Sequence, residues 1–166
     1  MTNLDYLKDI KTVAVNKELP RTSFVSHDDR EEAITNVTEF EKSPYYVCLN
    51  GKWQFYYNDY PSKIPSDIAT NVNHNSEWGE INVPGNWEMQ GHGDAYYTNI
   101  RYDFAPSNPQ PPALPEKNPV GVYRRKDIEI PQAWLDQNRD IFLQVGGAKT
   151  GLYVYVNGQQ VGYSED

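Results

Sequence analysis

The sequence predicts an antiparallel β-sandwich or barrel. Short apolar runs alternate at period two, as in Trp53-Gln54-Phe55-Tyr56-Tyr57, which is the pattern of a half-buried strand. Asn-Gly pairs, the residues that tight hairpin turns favour, stand at Asn50-Gly51 and Asn157-Gly158. Aromatic residues make up 13% of the chain, with 13 Tyr and 4 Trp, and aromatic side chains prefer strands.

The elements follow in order. Leu4–Ile10 is amphipathic and predicts one or two helical turns. Beyond it the chain is polar, broken by Pro20 and Pro44, and shows no steady period. Residues 1–45 are therefore read as an extended arm laid over a partner surface, with Val15, Leu19 and Phe24 as its apolar docking points. Within the arm, Asp28–Ala33 ("DDREEA") reads as a solvated helix start. The domain proper runs over residues 46–166. Asn50-Gly51 predicts a type I′ turn leading into a strand with Trp53, Phe55 and Tyr57 on one face. Residues 61–68, broken by Pro61 and Pro65, predict a loop or short helix. Glu80–Val83 predicts a short strand ended by Pro84-Gly85.

Residues 84–119 are the least regular part, carrying Pro84, Pro106, Pro109, Pro111, Pro112, Pro115 and Pro119. Long irregular segments in compact domains are usually functional or disordered. Prolines lower the entropy cost of ordering such a loop, and Trp87, Tyr96, Tyr97, Tyr102 and Phe104 argue that it packs down. A shaped loop is the expectation. Alternation returns over Gly121–Ile130. Pro131 then opens one or two helical turns. Residues 140–147 ("DIFLQVGG") predict a strand with Ile141, Leu143 and Val145 on one face and Phe142 and Gln144 on the other. Leu152–Val156, the turn Asn157-Gly158 and Gln159–Tyr163 predict a hairpin.

Composition excludes several function classes. The formal net charge of −8 argues against nucleic acid, which requires clustered Lys and Arg, and against anionic membranes. The single cysteine, Cys48, forbids an internal disulfide and reads as a small buried hydrophobe. His27, His74 and His92 lack metal-ligand spacing. Gly146-Gly147 lacks the spaced first glycine of a phosphate loop and leads into a strand. There is no signal-peptide pattern and no apolar run of membrane-spanning length, so a soluble, cytoplasmic protein is expected.

The acids Glu165 and Asp166 test badly as a catalytic pair. Glycosidases set two carboxylates about 5–5.5 Å apart for retention, or about 6.5–9.5 Å for inversion, facing one substrate. Consecutive strand residues instead point to opposite faces. One of the two can still bind a ligand while the other stays solvated.

Five motifs occur in order: "LNGKWQF" (Leu49–Phe55), "VPGNWEMQGHG" (Val83–Gly93), "YTNIRY" (Tyr97–Tyr102), "NPVGVYRR" (Asn118–Arg125) and "VYVNGQQVGYSED" (Val154–Asp166). Together they resemble the N-terminal sugar-binding domain of β-galactosidases of glycoside hydrolase family 2, over roughly Asn16 to Asp166. The resemblance implies an all-β fold, a jelly-roll β-sandwich of the galactose-binding-domain type. It also implies that further sandwich strands follow the "GYSED" motif, so the domain is expected to be incomplete at its C-terminus.

The family hydrolyses terminal non-reducing β-D-galactose residues, as in lactose, with retention. Its catalytic glutamates lie on a later barrel domain, so no catalytic residue is assigned in this chain. By resemblance, Asn99 reaches the galactose site. Asp166 holds sugar hydroxyls and a sodium ion, leaving Glu165 as a solvated bystander. Na+ and Mg2+ are implied for the full enzyme, with the remaining domains of the same enzyme as partners and a homo-oligomer as its assembly. Trp87, His92 and Tyr97 are expected to shape the loop rather than touch sugar. The alternatives are a free-standing carbohydrate-binding module and the first domain of a related β-glycosidase such as a β-glucuronidase; "YTN" and "GYSED" tilt against the latter.

Overall fold

The structure is a computed structural model that describes residues 5–74, 77–95 and 110–165. Two three-stranded antiparallel sheets carry the fold, in the strand orders β1-β6-β5 and β3-β2-β4. The described residues form an all-β architecture with three short helices.

The first sheet joins the two ends of the chain. A short helix α1 (Asp5–Lys8) leads to β1 (Ala14–Val15), which pairs with β6 (Gln159–Glu165) in the register Ala14↔Ser164 and Val15↔Tyr163. On its other side β6 pairs with β5 (Gly151–Val156), with a bulge at Val154/Tyr155. The turn between β5 and β6 is the one its sequence predicts. Asn157 and Gly158 both take positive φ, 50° and 81°, as a type I′ turn requires.

Helix α2 (Arg30–Thr35) follows the predicted start. Asp29 caps it, its carboxylate accepting the Glu32 N–H at 2.9 Å, and Glu31 and Glu32 complement the positive end of the helix.

The second sheet is built on β2 (Gly51–Asn58), which pairs with β3 (Gly79–Val83) and β4 (Val120–Arg124). In this register Phe55 lies opposite Tyr123, Tyr57 opposite Gly121 and Trp53 opposite Ile81, so one face gathers the aromatics. Among the described residues, the buried apolar side chains are those of Phe55, Ile64, Ile68, Ile81 and Tyr163. Ile64 and Ile68 come from the segment between β2 and β3, where residues 61–63 form a single 3-10 turn ahead of Ile64.

Four sequence expectations are corrected. Asn50-Gly51 is not a type I′ turn. Gly51 does take φ 118°, but Asn50 is not left-handed and no strand precedes the pair. The strand over Gly121–Ile130 ends at Arg124, because the next side chain turns back. The Arg125 guanidinium donates to the carbonyls of Leu49 at 2.8 Å and Asn50 at 3.2 Å, and to Asp127. Helix α3 (Gln132–Asp136) follows Pro131, and its Trp134 indole N–H donates to the Pro44 carbonyl at 3.0 Å. The third correction is that residues 140–145 form no strand. Ile141, Phe142, Leu143 and Val145 are all exposed, so neither face of that alternating run is covered. Last, Cys48 is half-buried rather than buried.

Candidate functional site

The two residues expected to touch sugar, Asn99 and Asp166, lie outside the described residues, as does Tyr97. The structure shows the framework that holds the chain on the near side of each.

The approach to Asn99 is a compact aromatic platform. Phe55, 1% exposed, meets Tyr123 and His92 with ring centroids 4.8 Å away in each case, and Trp87 at 6.3 Å. Tyr57 meets Trp87 edge-on at 5.7 Å and His92 at 5.9 Å. The absence of a side chain at Gly121 makes room for this stack. A Cβ there would sit 2.7 Å from both the Phe55 and Trp87 rings. Trp87 and His92 therefore shape the loop, as their sequence context suggests.

The chain between them is fixed by polar contacts. The His92 N–H donates to the Trp87 carbonyl at 3.1 Å. The Gln90 side chain clamps Asn82, accepting its N–H at 2.8 Å and donating to its carbonyl at 3.0 Å. Gly91 reverses the path with φ 90°, a conformation that favours glycine. On the far side of the undescribed segment, Lys117 pairs with Asp94 at 3.3 Å and the Asn118 N–H donates to the Asp59 carbonyl at 2.9 Å. The described chain before and after residues 96–109 is thus tied together, and its later part is tied to Asp59 just beyond β2. Partial burial raises the pKa of the Tyr123 phenol in this cluster, and the nearby Glu88 adds to the shift.

The approach to Asp166 is β6. Tyr163, 2% exposed, packs on Tyr153 at 4.6 Å and Tyr6 at 5.0 Å, and its hydroxyl donates to the Glu165 carboxylate. Burial pushes the Tyr163 phenol well above its usual range, and the Glu165 hydrogen bond adds to the shift. Glu165 is therefore half-buried and partnered, not a solvated bystander. Sequence reasoning missed this role, although the signal was present: residues two apart on a strand share a face.

Among the described residues, no group of three or more His, Cys, Asp or Glu converges as a metal site. His74 instead pairs with Asp67 at 3.2 Å, and that carboxyl is held below its usual range chiefly by a hydrogen bond from Asn71.

Comparison with known proteins decides the family. Residues 46–166 match the model described as "Glycosyl hydrolases family 2, sugar binding domain". The chain belongs to this family. Similar proteins named β-galactosidase include one from Halalkalibacterium halodurans, 34% identical over 99% of this chain and 16% of its own length. Another, from Actinobacillus pleuropneumoniae, is 35% identical over 97% of this chain and 15% of its own. A third, from Vibrio cholerae, is 36% identical over 89% of this chain and 13% of its own. The family 2 sugar-binding domain described here thus spans a small part of each relative. No helix among the described residues is long and apolar enough to cross a membrane.

Proposed function

We propose that this domain supplies part of the galactose subsite, and an inter-domain surface, to a β-galactosidase that hydrolyses terminal non-reducing β-D-galactose residues such as lactose, with retention. The observation that carries this reading is the family match over residues 46–166 together with relatives named β-galactosidase at 34–36% identity. In it, Asn99 contacts the sugar. Asp166 accepts sugar hydroxyl protons on its carboxylate, and the two sheets are parts of a jelly-roll sandwich.

The chemistry that breaks the glycosidic bond is assigned elsewhere. Retention needs two carboxylates converging on one bond. Glu165 is committed to Tyr163, and so is not offered to a bond beside a second carboxylate. A sodium ion fits a carboxylate such as that of Asp166, a hard oxygen ligand. Mg2+ is assigned in this reading to the full enzyme. The enzyme is cytoplasmic and homo-oligomeric in this reading.

A chromogenic β-galactoside assay tests it. The full-length protein is expected to turn the substrate over, while the 166-residue chain alone stays at background. Turnover by the chain alone would sink the proposal. So would a full-length protein that cleaves β-glucuronides and not β-galactosides.

A further inference from the structure

Residues 6–17 and the β5–β6 hairpin are far apart in the sequence, yet they are fastened together at residues 6–7 and again at 13–17. The Tyr6 ring stacks on Tyr153 at 6.2 Å with 15° between the planes, and the Leu7 N–H donates to the Tyr153 hydroxyl at 3.3 Å. The Glu165 N–H donates to the Val13 carbonyl at 2.8 Å. Antiparallel partners alternate between pairs that exchange backbone hydrogen bonds and pairs that do not. The bond at 13–165 therefore makes Val15–Tyr163 a hydrogen-bonded pair as well. Asn16 then takes a left-handed φ of 52°, and its amide donates to the Val161 carbonyl at 2.7 Å. Finally, the Lys17 ammonium donates to Ser164 Oγ at 2.7 Å.

These contacts hold residues 161, 163, 164 and 165, the run of β6 that delivers the chain to Asp166. The end of a strand with one edge unpaired opens at little cost. Binding groups, however, must be held to about 0.5 Å to act. The geometry points to a positioning role for Val13–Lys17: this strap holds β6 up to Glu165, the residue before Asp166 in the sequence, and so sets affinity for the galactoside. Val15 and Lys17 are positioning residues that act through β6. The inference rests on the reading of Asp166 as a sugar contact.

The test uses the full-length protein with four variants: Lys17→Met, Lys17→Arg, Val15→Pro and Asp166→Ala. KM and kcat for a chromogenic β-galactoside are measured, with the inhibition constant of a non-hydrolysable thiogalactoside and thermal denaturation. Lys17→Met is expected to raise KM and the inhibition constant about 5- to 10-fold, the scale of one ordinary hydrogen bond lost at an exposed site, with kcat within about twofold. Lys17→Arg restores both. Val15→Pro removes a ladder donor and shifts the same constants further. Should Val15→Pro not fold, the Lys17 pair decides, because its contact is exposed. Strap variants that only lower the melting temperature, while Asp166→Ala raises KM, overturn the strap. An Asp166→Ala protein with unchanged KM overturns the Asp166 reading and the strap with it.

Discussion

Gly158, at the tip of the β5–β6 turn, rests directly on the backbone carbonyl of Thr70, in the segment between β2 and β3. One sheet's hairpin thus touches the other sheet's long connection through a residue that has no side chain. Two demands converge on this glycine, a φ of +81° and the close approach. Gly158→Ala is expected to cost about 2–4 kcal/mol, from left-handed strain and from a Cβ forced against backbone that cannot turn aside. Urea unfolding of the chain checks this; a loss below about 0.5 kcal/mol would show that the hairpin simply lifts away.

Phe55 is the keystone of the platform beneath the loop that leads to Asn99. Its replacement by Ala removes the ring on which Trp87, His92 and Tyr123 pack, at a cost of about 3–5 kcal/mol. That is a large share of the roughly 5–15 kcal/mol that holds an ordinary domain folded. Met89, in the same loop but 80% exposed, serves as the comparison. Met89→Ala is expected to stay within about 0.5 kcal/mol. Equal losses at the two positions would remove Phe55 from its place at the centre of the cluster.

How legible these features were depends on whether the signal was local. The Asn157-Gly158 hairpin could be read because two left-handed residues in a row require the residues found there. The cap at Asp29 is equally local. Residues 140–145 carry as clear an alternation as β2, yet form no strand, since a strand exists only with a partner and the alternation does not say where the partner comes from. Asn50-Gly51 failed for a related reason: glycine was needed at Gly51, but the Leu49 and Asn50 carbonyls are taken by Arg125, a residue far along the chain. The link between β1 and β6 was hidden because two residues, Ala14 and Val15, make too short a run to show a period.

Tyr163 gives the fold an alkaline limit. Its phenol has a raised pKa when folded, first from burial and then from Glu165. The neutral form is therefore favoured by folding, and this stability is fully present below the unfolded pKa of about 10. It is lost as pH rises from there towards the folded value. Tyr155, also raised by burial, contributes in the same direction. Denaturation midpoints should therefore fall above about pH 10. Tyr163→Phe keeps the ring but removes the titration, so its midpoint should fall less steeply there; an unchanged slope would place the alkaline limit on other groups.

The exposed surface of the chain predicts how it behaves alone. The apolar run at 141–145 lies open: Phe142 is 57% exposed and meets the Arg21 guanidinium at 5.7 Å from its ring. Exposed apolar strand-forming segments promote association between chains. The 166-residue chain is expected to sediment as species larger than a monomer at tens of micromolar. Leu143→Ser should reduce that association without lowering the melting temperature, because Leu143 is exposed and contributes little to the fold. A wild-type chain that stays monomeric at that concentration, with a high cooperative melting temperature, would mean that this surface needs no cover.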